Sequence, residues 1–382
     1  MGSLFTLIKN TQKNTIIMEN KSLKSINISD YKEQSPDQHL IDIINHIHST
    51  KSFDNLLLQA NDWKLKQHQL DDLDHVEYNG LTTYQRLINL VLLPNDQQSK
   101  ILYCDIIKNQ LLRNQQHLES ILNTSPGTTI NPKILTTNNT PCSKVFLFDI
   151  DNCLYSKKLN IHMLMQIFIR KYFQYILNLD SYDVAKKLNE KYYKQYGLAI
   201  KGLINDNQDL KIDPVEYNNF VDDALPLHDI ITPDLELRAT LIKIKESKKF
   251  EKMWLYTNAY KTHAIRCITL LGIADLFDGL TFCDYKMVQD MSCKPDVSSY
   301  WKMSEDVGLI GETLDERLKN CVFIDDSLRN LETGIQLNMK QCVLIDQDVT
   351  EPYEIDAVEK GKKIKVVGSF SDLETVLPEI FE

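Results

Sequence analysis

The stretch Val145-Phe146-Leu147-Phe148-Asp149-Ile150-Asp151 constrains the fold of this chain more than any other segment. Four consecutive apolar residues read as a strand buried on both faces, the pattern of a parallel sheet. Two acids follow, two positions apart, where that strand should end. Residues i and i+2 of a strand point to the same side, so the two carboxylates are brought together. Like charges at a buried tip repel, and a divalent cation is the usual compensation. Ligands of open α/β sheets bind just outside the carboxyl ends of the strands, which is where this pair falls.

Three further segments supply complementary chemistry. Lys252-Met253-Trp254-Leu255-Tyr256-Thr257-Asn258 is a second apolar run, ending in a hydroxyl and an amide. Cys293-Lys294-Pro295-Asp296 places a lysine before a proline suited to the first position of a helix. Asn320-Cys321-Val322-Phe323-Ile324-Asp325-Asp326-Ser327 is a third apolar run ending in paired acids. Any single Asp-x-Asp also fits a solvated turn, so the weight lies in the ordered set. That set, over roughly residues 143–382, resembles the four motifs of the haloacid-dehalogenase-like (HAD) phosphohydrolase superfamily.

Composition bounds the rest. The length of 382 residues predicts two or three domains. A hydrophobic content of 43% fits a folded, soluble chain. The net charge of −10 argues against broad nucleic-acid binding, which needs a basic face. An anionic substrate must then be captured by local groups. The eight cysteines form no Cys-x-x-Cys pair, which favours reduced thiols over a zinc site. No apolar run reaches the length of a membrane span. Together these predict a cytoplasmic protein, with the nucleus as a second location. Met1-Gly2-Ser3-Leu4-Phe5-Thr6 matches the loose pattern for N-myristoylation.

Along the chain, residues 1–34 read as a polar tail. A helical region of no recognisable chemistry follows at 35–122. It opens at Ser35-Pro36, continues in a helix from Thr83 to Leu93, and ends in a long helix carrying Ile101, Cys104, Leu111, Leu118 and Leu122. Residues 123–142 are Ser/Thr/Asn/Pro/Gly-rich and read as a linker. The unit from 143 to 382 should be an α/β doubly wound parallel sheet, because strands and helices alternate after Thr257. Strands are expected at Gly279–Cys283, Cys321–Ile324, Gln341–Ile345 and Ile364–Val367, and Ser371-Asp372-Leu373-Glu374 reads as a capping box for the last helix. Between the first two strands, helical patterns at Asn160–Leu179 and Asp183–Tyr196 predict a helical insertion over the strand tips at about 157–248. Met163, Ile167 and Phe168 are its candidate inward residues.

The superfamily resemblance implies roles for the motif residues. Asp149 would be the nucleophile and Asp151 the general acid and base, with its carbonyl also near the metal. Asp325 would hold Mg²⁺. Asp326 would ligate it too, or else cap the following helix. Thr257 and the amide of Asn258 would hydrogen-bond the phosphoryl oxygens, and Lys294 would offset the charge of Asp149 and the phosphate. The chemistry asks for the same residue types: cleavage of a phosphate monoester needs positive charge on the phosphoryl oxygens, an in-line nucleophile and a proton carrier. Asp151 favours rapid hydrolysis of the acyl-phosphate, and so a phosphatase.

The fuller pattern Asp-Ile-Asp-Asn-Cys-Leu-Tyr, the segment Tyr192-Tyr193-Lys194-Gln195-Tyr196-Gly197-Leu198-Ala199-Ile200-Lys201-Gly202-Leu203, and Thr257-Asn258-Ala259-Tyr260 together resemble the fungal pyrimidine 5′-nucleotidase family. Ser156 departs from the proline usual in plant and bacterial relatives. This resemblance implies a nucleoside monophosphate substrate, UMP or CMP. Tyr155 and Tyr193 are candidates for stacking on the base, with Gly197 and Leu198 as further substrate contacts. Two rivals stand beside it: another small phosphomonoester, such as a purine nucleotide or a lysophosphatidic acid, and a non-catalytic interaction protein on the same scaffold.

Overall fold

The computed structural model describes residues 87–122, 136–138, 140–287, 291–358 and 361–382. The polar tail, the helix opening at Ser35-Pro36 and most of the segment at 123–142 lie outside the described residues. Of the helix expected from Thr83, residues 89–92 form a 3-10 turn.

Seven strands form one sheet: β1 (Val145–Phe148), β2 (Lys252–Tyr256), β3 (Gly279–Thr281), β4 (Val322–Asp325), β5 (Gln341–Ile345), β6 (Tyr353–Asp356) and β7 (Lys363–Val367). Their spatial order is β3-β2-β1-β4-β5-β7-β6. All neighbours run parallel except β6 against β7. The fold is α/β with a mostly parallel sheet, as the alternation of strand and helix patterns requires. The antiparallel edge strand β6 was not expected.

The strand sequences explain the layers. In β1, Phe146 and Phe148 join one hydrophobic core while Val145 and Leu147 join another on the opposite face. In β2 the same alternation sends Met253 and Leu255 one way, Trp254 and Tyr256 the other. Helices α9 (Val297–Val307), α10 (Leu314–Leu318) and α11 (Leu328–Gln336) cover the second face.

The first face carries α7 (Leu235–Glu246), α8 (Lys261–Leu270) and the last short helices α12 (Leu373–Val376) and α13 (Pro378–Phe381). The capping box at this end is set by Ser369 and Asp372 on a 3-10 turn, not by Ser371 and Glu374.

Five helices precede α7 after β1: α2 (Ile161–Ile176), α3 (Tyr182–Tyr196), α4 (Ala199–Asp206), α5 (Pro214–Phe220) and α6 (Leu227–Ile230). Ser181 caps α3 by accepting from Val184 N, and Asp213 caps α5 with Pro214 at its first position. Gly197 ends α3 with φ +74°, a left-handed stop that glycine adopts without a Cβ clash. In α2, Ile167 and Phe168 are buried but Met163 is 44% exposed. Leu164 takes the inward place instead, one residue further round the helix.

The long helix α1 (Gln97–Leu122) joins the same core as these helices through Tyr103, Cys104, Ile107 and Leu111. Tyr103 stands edge-on to Tyr175 at 5.2 Å. Asn114 Nδ2 donates to the carbonyls of Asp223 and Leu225, at 2.8 and 3.0 Å. Buried Lys252 donates to the carbonyls of Asn138, Thr140 and Val307, which holds the residues before β1 against the sheet. All eight cysteines are buried and unpaired. Among the described residues, no helix is long and apolar enough to cross a membrane.

Candidate active site

Parallel strands share a carboxyl edge, so the chain segments leaving β1, β2 and β4 emerge side by side. Asp149 N donates to Ile324 O and Thr257 N to Thr281 O, both at 3.0 Å, which carries the ladder one residue past the strands. Asp149, Thr257 and Asp325 are thereby fixed by main chain before any side chain acts.

Lys294 arrives from the loop ahead of α9 and is 2% exposed. Its ammonium donates to Asp149 Oδ1 at 2.6 Å, Asp325 Oδ2 at 2.7 Å and Tyr256 O at 2.7 Å. All three of its protons are used. Burial alone would lower its pKa, but the two carboxylates outweigh burial and hold it above the usual lysine value. Burial pushes Asp149 well above the usual carboxylate range; Lys294 opposes the rise, while Asp325 and Asp326 add to it.

Asp325 is fully buried and uses both oxygens. Oδ1 accepts from Ser327 N at 2.7 Å and Asn330 Nδ2 at 3.0 Å, while Oδ2 accepts from Lys294 and again from Asn330. Asp326 lies at the exposed rim and accepts from Asn152 Nδ2 at 3.3 Å. It does not cap α11, whose N-cap is Ser327. One oxygen each of Asp149, Asp325 and Asp326 lie within 4.8 Å of one another, a carboxylate cluster able to hold a cation.

Asp151, two residues past Asp149, has partners that the sequence did not point to. Its Oδ1 accepts from Tyr155 OH at 2.5 Å and His263 Nε2 at 2.6 Å. Burial would raise this acid, but His263 and Tyr155 outweigh burial and hold it below the usual carboxylate range. Burial would lower His263, yet Cys267 and Asp151 hold it well above the usual histidine value. Cys267 Sγ lies 3.5 Å from the same ring nitrogen.

A cavity at this edge is lined by Asp149, Asp151, Thr257, Asn258, Lys294 and Asp326. Tyr155, Tyr193, Gly197 and Leu198 line it as well. Asp325 lies beneath, holding Lys294. The residues selected from sequence therefore converge, with two differences of use. The side-chain amide of Asn258 is spent on Lys294, donating to its carbonyl at 2.8 Å and accepting from its N–H at 2.7 Å. Tyr155 is 4% exposed with its hydroxyl committed to Asp151, so it braces an acid and offers no open ring face. Tyr193, at 55% exposure, keeps an accessible ring. Thr257 Oγ accepts from Ala259 N at 3.0 Å, which leaves its proton free to donate into the cavity.

The sequence pattern of the haloacid dehalogenase-like hydrolases matches residues 143–338, and the acids, lysine and threonine just described lie inside that span. The chain belongs to this family. It is an enzyme, a hydrolase. Phosphate metabolism protein 8 of Saccharomyces cerevisiae is 41% identical over 288 residues, or 73% of this chain and 84% of that protein. Among solved structures, a HAD phosphatase from Thermococcus onnurineus is 16% identical and covers 61% of this chain and 97% of its own, with a TM-score of 0.40. A β-phosphoglucomutase from Clostridium difficile is 18% identical and covers 62% of this chain and 96% of its own, also with a TM-score of 0.40.

Proposed function

We propose that this hydrolase is a phosphatase, a magnesium-dependent phosphomonoesterase that works through an aspartyl-phosphate on Asp149 and acts on nucleoside 5′-monophosphates, with UMP and CMP first. The observation that carries the reading is the position of Lys294 Nζ, 2.6 Å from Asp149 Oδ1 and 2.7 Å from Asp325 Oδ2. A buried cation that neutralises a strand-tip carboxylate lets that carboxylate approach a phosphate dianion.

In the first half, an Asp149 oxygen attacks phosphorus and the ester P–O bond breaks. The leaving oxygen takes a proton from Asp151, drawn from the His263–Asp151 contact. In the second half, Asp151 removes a proton from water as that water attacks phosphorus. Inorganic phosphate leaves, Asp149 is restored and the proton returns to the His263–Asp151 pair. Thr257 donates to a phosphoryl oxygen, while Lys294 stays on Asp149 and Asp325 and offsets the charge of Asp149 and the phosphate.

Magnesium fits the carboxylates of Asp149 and Asp326, whose like charges crowd together at the rim, with Asp325 behind them. When bound, it would neutralise charge on the phosphoryl group. The nucleotide part of the reading rests on the Tyr192–Leu203 segment, which puts Tyr193, Gly197 and Leu198 on the cavity wall.

Phosphate release from UMP, CMP, AMP and a lysophosphatidate, with magnesium and with a chelator, tests the proposal. UMP and CMP turnover lost on chelation is expected. Lipid turnover without nucleotide turnover would overturn the substrate assignment.

A further inference from the structure

The cavity has a second wall, built by α2, α3 and the turn after α5, and its hydrogen bonding is fixed by one arginine. Arg170 can only donate, and its Nη2 donates to Gln166 Oε1 at 3.3 Å. That sets the Gln166 amide, with its nitrogen 3.4 Å from His162 Nε2. Asn189 Nδ2 donates to the same Gln166 oxygen. The Asn189 amide can therefore point only one way, with Oδ1 as the remaining acceptor. Asn189 is 2% exposed and lines the cavity, and its Oδ1 is buried without a hydrogen-bond partner. A buried acceptor left in that state is unfavourable until a donor reaches it. Asp222, 3% exposed, lines the same cavity and adds a carboxylate.

We propose that Asn189 and Asp222 form an acceptor wall that selects the leaving alcohol of the substrate by its hydrogen-bond donors. A nucleoside satisfies such a wall through ribose hydroxyls and the N–H groups of its base. An acyl chain or a bare aryl group leaves both acceptors unpaired, and a site built to hydrogen-bond its ligand rejects an analogue lacking those donors. This inference rests on the phosphomonoesterase reading above and names what that site requires of the leaving group.

The test is steady-state kinetics of the full chain on UMP and on p-nitrophenyl phosphate, whose leaving group carries no further donor. Wild type is compared with Asn189→Leu and with Asp222→Leu, each of which roughly keeps volume and removes the acceptor. Each variant should raise KM for UMP by about tenfold or more, with kcat changed far less. The ratio of kcat/KM for UMP to that for p-nitrophenyl phosphate should fall by a similar factor. If Asn189→Leu does not melt cooperatively, Asp222→Leu alone decides. A selectivity ratio equal to wild type in every folded variant overturns the wall and leaves the phosphatase reading standing. No release from UMP by the wild type, with release from p-nitrophenyl phosphate, overturns the nucleotide reading and the wall with it.

Discussion

His263 Nε2 lies 2.6 Å from Asp151 Oδ1, and this contact ties the second acid of the β1 tip to the first turn of α8. His263 is fully buried and its Nδ1 has no partner, so its hydrogen bonding is directed at Asp151 through Nε2. Replacing His263 with Ala or Asn should lower kcat by roughly 10–100-fold with little change in KM, the loss typical when a group that orients a reacting side chain is removed. The acid limb of the kcat profile should also move to higher pH, because Asp151 loses the partner that keeps its pKa low. Asp151, depressed in the folded state, stabilises the fold above its unfolded value near 4 and loses that contribution as pH falls through the folded value. His263, raised in the folded state, contributes fully below about 6.5 and loses its share as pH rises through its folded value. The pair therefore stabilises most between about 4 and 6.5. An unmoved acid limb would contradict the coupling.

Lys294→Met removes the cation between Asp149 and Asp325. Turnover should fall by at least about a thousandfold, and stability by roughly 3–5 kcal/mol, since two buried carboxylates lose their partner. Asp149 is raised in the folded state, so protonation favours the fold and its contribution is lost as pH rises. The destabilisation should then be larger at pH 8 than at pH 5, read from denaturant melts at both values. Equal losses at the two values would contradict the electrostatic cause.

Asp222 is pushed up to about 7, chiefly by burial, with His263 opposing and Asp151 adding. Its unfolded value is near 4, so it is neutral in both states below that point and becomes costly as pH rises to 7 and beyond. Asp222→Asn should therefore be more stable than wild type at pH 8 by about 1–4 kcal/mol, with the gap closing toward pH 5. Thermal melts at the two values check this, and a gap independent of pH would contradict it.

Gly202 sits where a Cβ would come within 2.4 Å of the Tyr192 ring. Gly202→Ala must displace that buried ring and part α3 from α4. A loss of about 1–3 kcal/mol is expected from overpacking. KM for the nucleotide should rise as well, because Tyr193, Gly197 and Leu198 ride on the same pair of helices. A variant as stable as wild type would show that the ring yields freely.

Much of the carboxyl edge was legible because each motif residue follows an apolar run that predicts a strand. Asp149, Thr257 and Asp325 announce themselves by position, and Lys294 by its place before Pro295. His263, Asn189 and Gln166 are polar residues in helices whose partners lie far off in sequence, Asp151 and His263 being 112 residues apart. Local pattern cannot reveal such a pairing. Strand β6 was missed because Tyr353, Glu354 and Asp356 are all exposed, which erases the alternation by which a half-buried strand is recognised. Met163 was placed inward because helical spacing alone does not fix the rotation of α2 against its neighbours.

Covalent capture of Asp149 tests the central claim most directly. The enzyme is mixed with excess UMP and magnesium, quenched during turnover, treated with borohydride and digested, and the peptides are read by mass spectrometry. An acyl-phosphate on Asp149 is reduced to homoserine, so the account predicts that change at position 149, and its absence in Asp149→Asn together with loss of turnover. Turnover that persists in Asp149→Asn, or a reduced carboxylate at another position, would contradict it.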